Sequence, residues 1–329
     1  MAFRQKKLHH KYMESPNRLA VVHHRAPDWE KALKSAEPRL DVRAWHPRDA
    51  LAADNDWLKE AKALFTWRFP QGFLQKMPNL VWVQNAGAGV DHLVNHPELS
   101  EDVVITRADG RFGLWIARYV CGHLLTEAQE MDNCQRAQNE RRWAGKLLPE
   151  RLHSKTALIV GFGRIGRQVG LSLRIFGMDV IGFATQDRPD PDFQVCSVGR
   201  LPEFIAKARV LVICAPATNA TKGLINANVL EHGHSGLTLI NVGRGGQVVL
   251  PDMVAALDEG RLGRAVLDVF PVEPLSPDDP IWEHPRITIT PHHSGPTTIE
   301  DILPDILPNL RAYAEGGPIA RTVDRVRGY

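Results

Sequence analysis

"ALIVGFGRIGRQVG", residues 157–170, runs four apolar residues into Gly161, Gly163 and Gly166 in the order G-x-G-x-x-G. Glycines at that spacing also mark plain turns, so the surroundings decide the reading. An apolar strand pattern precedes them. After them Ile165, Val169, Leu173 and Phe176 fall on one helix face, and "GMDVIGF" (177–183) opens another strand. The result is a βαβ unit of about 30 residues, the setting in which this motif binds a dinucleotide. Gly161 permits the tight turn, Gly163 lets a pyrophosphate approach the backbone, and Gly166 lets helix and strand pack closely. Arg164 and Ile165 open the helix, whose N-terminus offers N–H groups and positive dipole to phosphate.

Strand-like runs recur on either side of this unit. A first series is "LAVVHH" (19–24), "LDVRAW" (40–45), "ALFTW" (63–67), "LVWVQNA" (80–86) and "VVITRA" (103–108). A second is "ALIVG" (157–161), "DVIGF" (179–183), "VLVICA" (210–215), "TLINVG" (238–243), "AVLDVF" (265–270) and "ITITPH" (287–292). Near-continuous apolar strands with helix-length spacers predict parallel sheets covered on both faces. The expected fold is therefore α/β, with two doubly wound parallel-sheet domains. One long helix is expected over 113–133, and a C-terminal helical segment over 299–316 interrupted by Pro304 and Pro308. The dinucleotide-binding domain is placed at 115–295, and the other domain at 1–114 and 296–329.

Composition sets the outer bounds. The chain has 329 residues, 43% hydrophobic and 24% charged, with a formal net charge of +2. That balance is ordinary for a globular protein and gives no reason to expect a nucleic-acid or membrane partner. The basic start "MAFRQKKLHHK" is followed by no apolar run, so no signal peptide is expected. Cys121, Cys134, Cys196 and Cys214 lie far apart with no C-x-x-C, which fits free thiols in a reducing compartment, the cytoplasm.

The choice between NADP and NAD turns on the tip of the second strand. An acidic residue normally stands there and hydrogen-bonds the ribose 2′-OH. Here the tip is Ala184, followed by Thr185-Gln186-Asp187-Arg188. Without a carboxylate to repel it, a 2′-phosphate is admissible, and Thr185 and Arg188 could contact it. NADP is the favoured cofactor, with NAD the alternative. Ala215, after the third strand of this series, and Val242 and Gly243, after the fourth, are further candidate cofactor contacts.

Three more motifs stand at the C-terminal ends of predicted strands, where doubly wound sheets place ligands. "INVGRGG" contains Arg244, "LDVFPVEP" contains Asp268 and Glu273, and "TPHHSGP" contains His292. With the glycine motif, this ordered set resembles the D-isomer-specific 2-hydroxyacid dehydrogenase family. The resemblance covers nearly the whole chain. It implies a Rossmann cofactor domain inserted in a flavodoxin-like substrate domain, and a homodimer formed through the cofactor domain. "NAGAGVDHL" (85–93) looks like the family's substrate loop, and with "LFTW" is most similar to the glyoxylate/hydroxypyruvate reductases. By resemblance, Asp268 would contact the nicotinamide carboxamide.

The residue types fit reduction of a 2-oxo acid, which needs a hydride at the carbonyl carbon and a proton for its oxygen. Histidine suits proton transfer near neutral pH, and a carboxylate such as Glu273 would stabilise the imidazolium of His292. Arg244 can hold the substrate carboxylate in a fork and polarise the carbonyl. The N–H groups of Ala88 and Gly89 could take the other carboxylate oxygen. Trp67 and Arg68 are candidate walls of the substrate pocket, although Trp67 could equally be a core aromatic.

His293 adjoins His292 and is the rival catalytic histidine, but the P-H-x-[SA]-G pattern selects His292. The pair is a poor metal site, because neighbours on a strand point to opposite faces, and no metal is expected elsewhere. Two features depart from the family pattern: Ile116-Ala117-Arg118-Tyr119 stands where many relatives carry Met-Ala-Glu-Tyr, and the N-terminal arm 1–17 has no counterpart. The competing function is a dinucleotide-sensing, corepressor-like binding protein on the same scaffold. A formate dehydrogenase is disfavoured because that branch carries glutamine where this chain has Glu273.

Overall fold

In the computed structural model, residues 17–328 are described, so all but the last residue of the N-terminal arm lies outside the described residues. The chain divides into two compact units. One comprises residues up to Arg111 and those from Thr297; the other is Phe112–Pro296.

The first unit holds a five-stranded sheet built from β1 (Arg18–Val22), β2 (Asp41–Trp45), β3 (Ala63–Thr66), β4 (Trp82–Asn85) and β5 (Val104–Arg107). Every pairing is parallel, and the order is β2-β1-β3-β4-β5. This is the flavodoxin-like order 2-1-3-4-5. Residues 63–66 and 82–85 are buried without interruption, because helices cover both faces of a parallel sheet. The helix Ala26–Ala36 turns Trp29 and Leu33 onto the sheet, where the Trp29 ring lies 4.5 Å from that of Phe65.

The C-terminal segment forms one continuous helix, Ile299–Ala314, and not the interrupted one expected. The reason is placement. Pro304 and Pro308 are one turn apart on the exposed face, so the carbonyls that lose an N–H partner can be hydrated. Ile302, Ile306 and Leu310 occupy the buried face, and the Thr298 side chain caps the N-terminus through Asp301 N.

The second unit holds seven parallel strands: β6 (Thr156–Val160), β7 (Asp179–Ala184), β8 (Gln194–Ser197), β9 (Ala208–Ile213), β10 (His234–Asn241), β11 (Leu262–Leu267) and β12 (Ile287–Ile289). Their order is β12-β11-β10-β9-β6-β7-β8. Counted from β6 this is the Rossmann order 3-2-1-4-5-6 with one strand added at the end. The edge strand β8 was not expected. Its two buried residues, Val195 and Cys196, are flanked by polar Gln194 and Ser197, so it carries no continuous apolar run.

The long helix expected over 113–133 is two helices, Phe112–Ala128 and Met131–Asn139, with Glu130 between them at φ 56°. The carbonyl of Ala128, which would continue the helix, instead accepts from Glu150 N at 2.7 Å. Glu150 also pairs with the buried Arg209 at 2.7 Å, and Arg209 reaches Glu127 at 3.0 Å. The break is thus fixed by charges that tie the helix end to the start of β9.

Candidate active site

The glycine turn joins β6 to the helix Arg164–Arg174. Gly161 sits at φ +87°, and a Cβ there would lie 2.4 Å from the backbone of Ala215. Only glycine fits that approach. Gly166 presses against the Gly161 carbonyl, whereas Gly163 faces open space on its Cβ side. The helix is eleven residues long and its Gly163 N-cap makes no side-chain bond, so its first N–H groups receive no side-chain cap there. Arg164 is exposed at its start, and Ile165 is half-buried beside Gly113. Cys214, next to the turn, is a neutral packing group, since burial pushes its thiol up to about 12. These residues fit the pyrophosphate of a dinucleotide.

Beyond the tip of β7 at Ala184, Thr185 and Arg188 are both exposed. Arg188 folds back so that Nη2 donates to the Phe162 carbonyl, inside the glycine turn. Asp187, three residues past the tip, is turned away to accept from Ser197 N. Sequence reasoning missed how this loop is held. Arg167, on the helix after the turn, binds Asp190 at 3.2 Å and also Asp192, and the guanidinium groups of Arg167 and Arg174 lie 5.6 and 5.0 Å from the centre of the Phe193 ring.

After β10, Asn241 accepts from Gly243 N at 3.1 Å and donates to the Arg244 carbonyl at 3.1 Å, closing the turn that carries Arg244. Gln247, buried and missed in the sequence, accepts from Arg244 N at 2.9 Å and donates to the carbonyls of Ala215 and Pro216, each at 3.0 Å. One amide therefore joins the loops after β9 and β10. Val242 is buried, with its N–H on the Ile213 carbonyl. Gly245 abuts Phe270 and Pro271 so closely that a Cβ would lie 1.9 Å from the Phe270 carbonyl carbon. That contact sets the Arg244 turn against the "VFPVEP" turn. Arg244 itself is half-buried, and its Nη1 donates to the Gly243 carbonyl at 2.8 Å.

His292 stands after β12 at φ 53°, a left-handed conformation that costs a non-glycine residue energy and aims its side chain out of the strand direction. Its Nδ1 lies 2.9 Å from Glu273 Oε2, and Glu273 Oε1 accepts from Phe270 N at 3.0 Å. The ring of His293 instead meets Tyr119 edge-on at 5.8 Å.

Asp268 is fully buried. Oδ1 accepts from Thr290 Oγ1 at 2.6 Å and His293 N at 3.0 Å, while Oδ2 accepts from Ser294 N at 3.0 Å. With the Thr290 proton given to Asp268, the Tyr119 hydroxyl donates to Thr290 at 2.7 Å. Burial also pushes the Tyr119 phenol above its usual range, so it stays a donor. The carboxylate thereby holds both ends of the turn that presents His292. Arg118, where the family pattern has glutamate, lies over the Trp115 ring at 5.1 Å.

In the first unit, Trp67 is half-buried over Gly87, its ring 4.8 Å from that of His92, whose Nε2 lies 2.6 Å from the Trp67 carbonyl. Arg68 is exposed, and Ala88 and Gly89 form the turn after β4. Among the described residues, no cluster of three or more His, Cys, Asp or Glu could hold a metal, and no helix is long and apolar enough to cross a membrane.

The family model of the D-isomer specific 2-hydroxyacid dehydrogenase NAD binding domain matches residues 121–294, more than half of the chain. A D-isomer specific 2-hydroxyacid dehydrogenase from Xanthobacter autotrophicus Py2, solved with NADPH and MES, is 32% identical over 96% of this chain and 100% of its own, with a TM-score of 0.85. A family protein from Aeromonas salmonicida subsp. salmonicida A449 is also 32% identical, over 94% of this chain and 100% of its own, at a TM-score of 0.87. The NADPH-dependent glyoxylate/hydroxypyruvate reductase of Sinorhizobium meliloti, solved with NADP and sulfate, is 26% identical over 95% of this chain and 100% of its own, at a TM-score of 0.83. With its two parallel-sheet units, glycine turn, Arg244 turn and His292–Glu273 pair, the chain belongs to the D-isomer specific 2-hydroxyacid dehydrogenase family and is an oxidoreductase with that family's dinucleotide-binding domain.

Proposed function

We propose that this enzyme reduces glyoxylate or hydroxypyruvate to the D-2-hydroxy acid, with NADPH preferred over NADH. The observation that carries the reading is the His292–Glu273 pair at 2.9 Å. Nδ1–H donates a hydrogen bond to Glu273, so Nε2 is the nitrogen left to give a proton to the carbonyl oxygen, and the carboxylate stabilises the imidazolium that does so. Bound NADPH supplies the hydride to the carbonyl carbon. On the second unit, Arg244 is the residue suited to grip the substrate carboxylate and polarise the carbonyl; on the first, the Ala88 and Gly89 N–H groups are the donors suited to a carboxylate oxygen, and Trp67 and Arg68 are the candidate pocket walls. Asp268 keeps the His292 turn in place.

The preference for NADPH is supported by Ala184 at the strand tip, Asp187 turned onto Ser197 N, and Arg188 lying at the glycine turn. It is also supported by the relatives above that were solved with NADPH or NADP. Gly161, Gly163, Arg164, Ile165, Gly166, Ala215, Val242, Gly243 and Asp268 of the second unit would hold the cofactor, and the first unit would bind the acid. A homodimer fits the exposed apolar arm of the second unit, where Trp143 is 96% and Leu148 82% exposed, a surface suited to a second copy. Four free cysteines fit the cytoplasm. The test is oxidation of NADPH and NADH with a panel of 2-oxo acids. Turnover with glyoxylate and hydroxypyruvate, faster with NADPH, supports the reading; turnover with neither acid overturns it.

A further inference from the structure

We infer that Asn85 is the positioning residue that shapes the carboxylate-binding turn. This rests on the reading that Ala88 and Gly89 meet the substrate carboxylate. Asn85 closes β4 and is completely buried. Its Nδ2 donates to the carbonyls of Gly87 and Gly89, each at 2.8 Å. Both partners are carbonyl oxygens, so the NH₂ group must face the turn, and the amide orientation follows from chemistry.

The consequence is set by the peptide plane. In a trans peptide the C=O and N–H point in opposite directions. The Gly87 carbonyl is drawn inward by Asn85, and Ala108 N also donates to it, at 3.2 Å. The N–H of the same peptide, that of Ala88, is therefore turned outward. The second bond, to Gly89, fixes the far side of the turn, so Ala88 is held between two anchored carbonyls. Trp67 seals the other side, since a Cβ on Gly87 would lie 2.2 Å from its ring.

Asn85 is itself held by a buried polar chain. Trp82 Nε1 donates to Thr106 Oγ1 at 2.9 Å, and Thr106 Oγ1 donates to Gln84 Oε1 at 2.7 Å. Gln84 Nε2 in turn donates to the Asn85 carbonyl at 2.9 Å. The Oδ1 of Asn85 is buried with no hydrogen-bond partner among the described residues. An orphan acceptor of this kind costs stability. A residue chosen only for packing would not carry it, whereas one chosen for its two donors must.

The test is steady-state kinetics of Asn85→Asp and Asn85→Ala. Asn85→Asp is nearly isosteric but sets a carboxylate against two carbonyls; Asn85→Ala removes the donors without adding charge. Both should raise KM for glyoxylate by about ten- to hundredfold, the worth of a hydrogen bond to a charged group. KM for NADPH and the NADPH affinity read by fluorescence titration should stay within about twofold, since the turn lies in the other unit. If Asn85→Asp does not fold, Asn85→Ala with its circular dichroism and thermal midpoint carries the test. A folded variant with wild-type KM for glyoxylate, or with both KM values raised together, overturns the inference. Wild-type protein that reduces no 2-oxo acid would instead overturn the functional reading beneath it.

Discussion

His292 Nδ1 meets Glu273 Oε2 at 2.9 Å, while the adjacent imidazole of His293 meets the edge of Tyr119. Two neighbouring histidines are thus given different work by their surroundings. His292→Ala should lower turnover by about 10²- to 10⁴-fold while NADPH still binds. His293→Ala, whose contribution to the turn is its backbone N–H, should cost far less. Steady-state kinetics of both variants decide the matter, and reversed effects would move the catalytic role to His293.

Arg244 offers a planar fork on a turn held by Asn241 and Gln247. Arg244→Lys keeps the charge and loses the fork, so kcat/KM for the 2-oxo acid should fall by about tenfold or more. A near-normal lysine enzyme would leave Arg244 without the proposed grip.

Cofactor choice can be tested at the β7 tip. Ala184→Asp adds a carboxylate that accepts from a ribose hydroxyl and repels a 2′-phosphate, and should shift the NADPH/NADH ratio of kcat/KM toward NADH by about tenfold. Arg188→Ala should weaken NADPH and leave NADH nearly unchanged. Wild-type protein that uses NADH better than NADPH would refute the preference.

Asp268 accepts three hydrogen bonds in a fully buried site. Asn at this position turns an NH₂ toward groups that are themselves donors. Asp268→Asn should therefore destabilise the second unit by about 1–3 kcal/mol and slow turnover, both through the His292 turn. Differential scanning calorimetry together with kinetics reads both effects; an unchanged melting profile would contradict the anchoring role.

A pH effect on stability is expected from His23. Burial first, then the nearby charges of His24 and Arg25, lower it from 6.5 to about 4. Its folded value lies below its unfolded one, so the unfolded chain binds the extra proton first. Stability from this residue is complete above pH 6.5, is lost as pH falls toward 4, and falls no further once the folded form is also protonated. His23 Nδ1 accepts from Arg25 N at 3.0 Å, a bond an asparagine oxygen can replace. His23→Asn should flatten the thermal midpoint of the first unit between pH 6.5 and 4; an equally steep variant would place the effect elsewhere.

The parallel strands were legible because burial on both faces leaves continuous apolar runs, and the glycine turn because its neighbours have matching periods. The edge strand β8, with Val195 and Cys196 between polar Gln194 and Ser197, had no such run. The break before Met131 was hidden for another reason: it is made by the Glu150 N–H, which bonds the carbonyl of Ala128 twenty-two residues before it, a separation no local pattern reports. At the site, Arg244, Glu273 and His292 stood in recognisable short motifs. Gln247 acts through carbonyls of another loop and Asn85 through carbonyls of its own turn, contacts that the alternation along a strand does not reveal.

The proposed reaction passes hydride from NADPH and a proton from His292 to a 2-oxo acid, giving the D alcohol. The most direct measurement is reduction of hydroxypyruvate with NADPH by the purified protein, followed by chiral chromatography of the glycerate formed. The account predicts NADPH consumption matched by D-glycerate, and its loss in His292→Ala. L-glycerate as the product, or no turnover of hydroxypyruvate or glyoxylate by correctly folded wild-type protein, would contradict it.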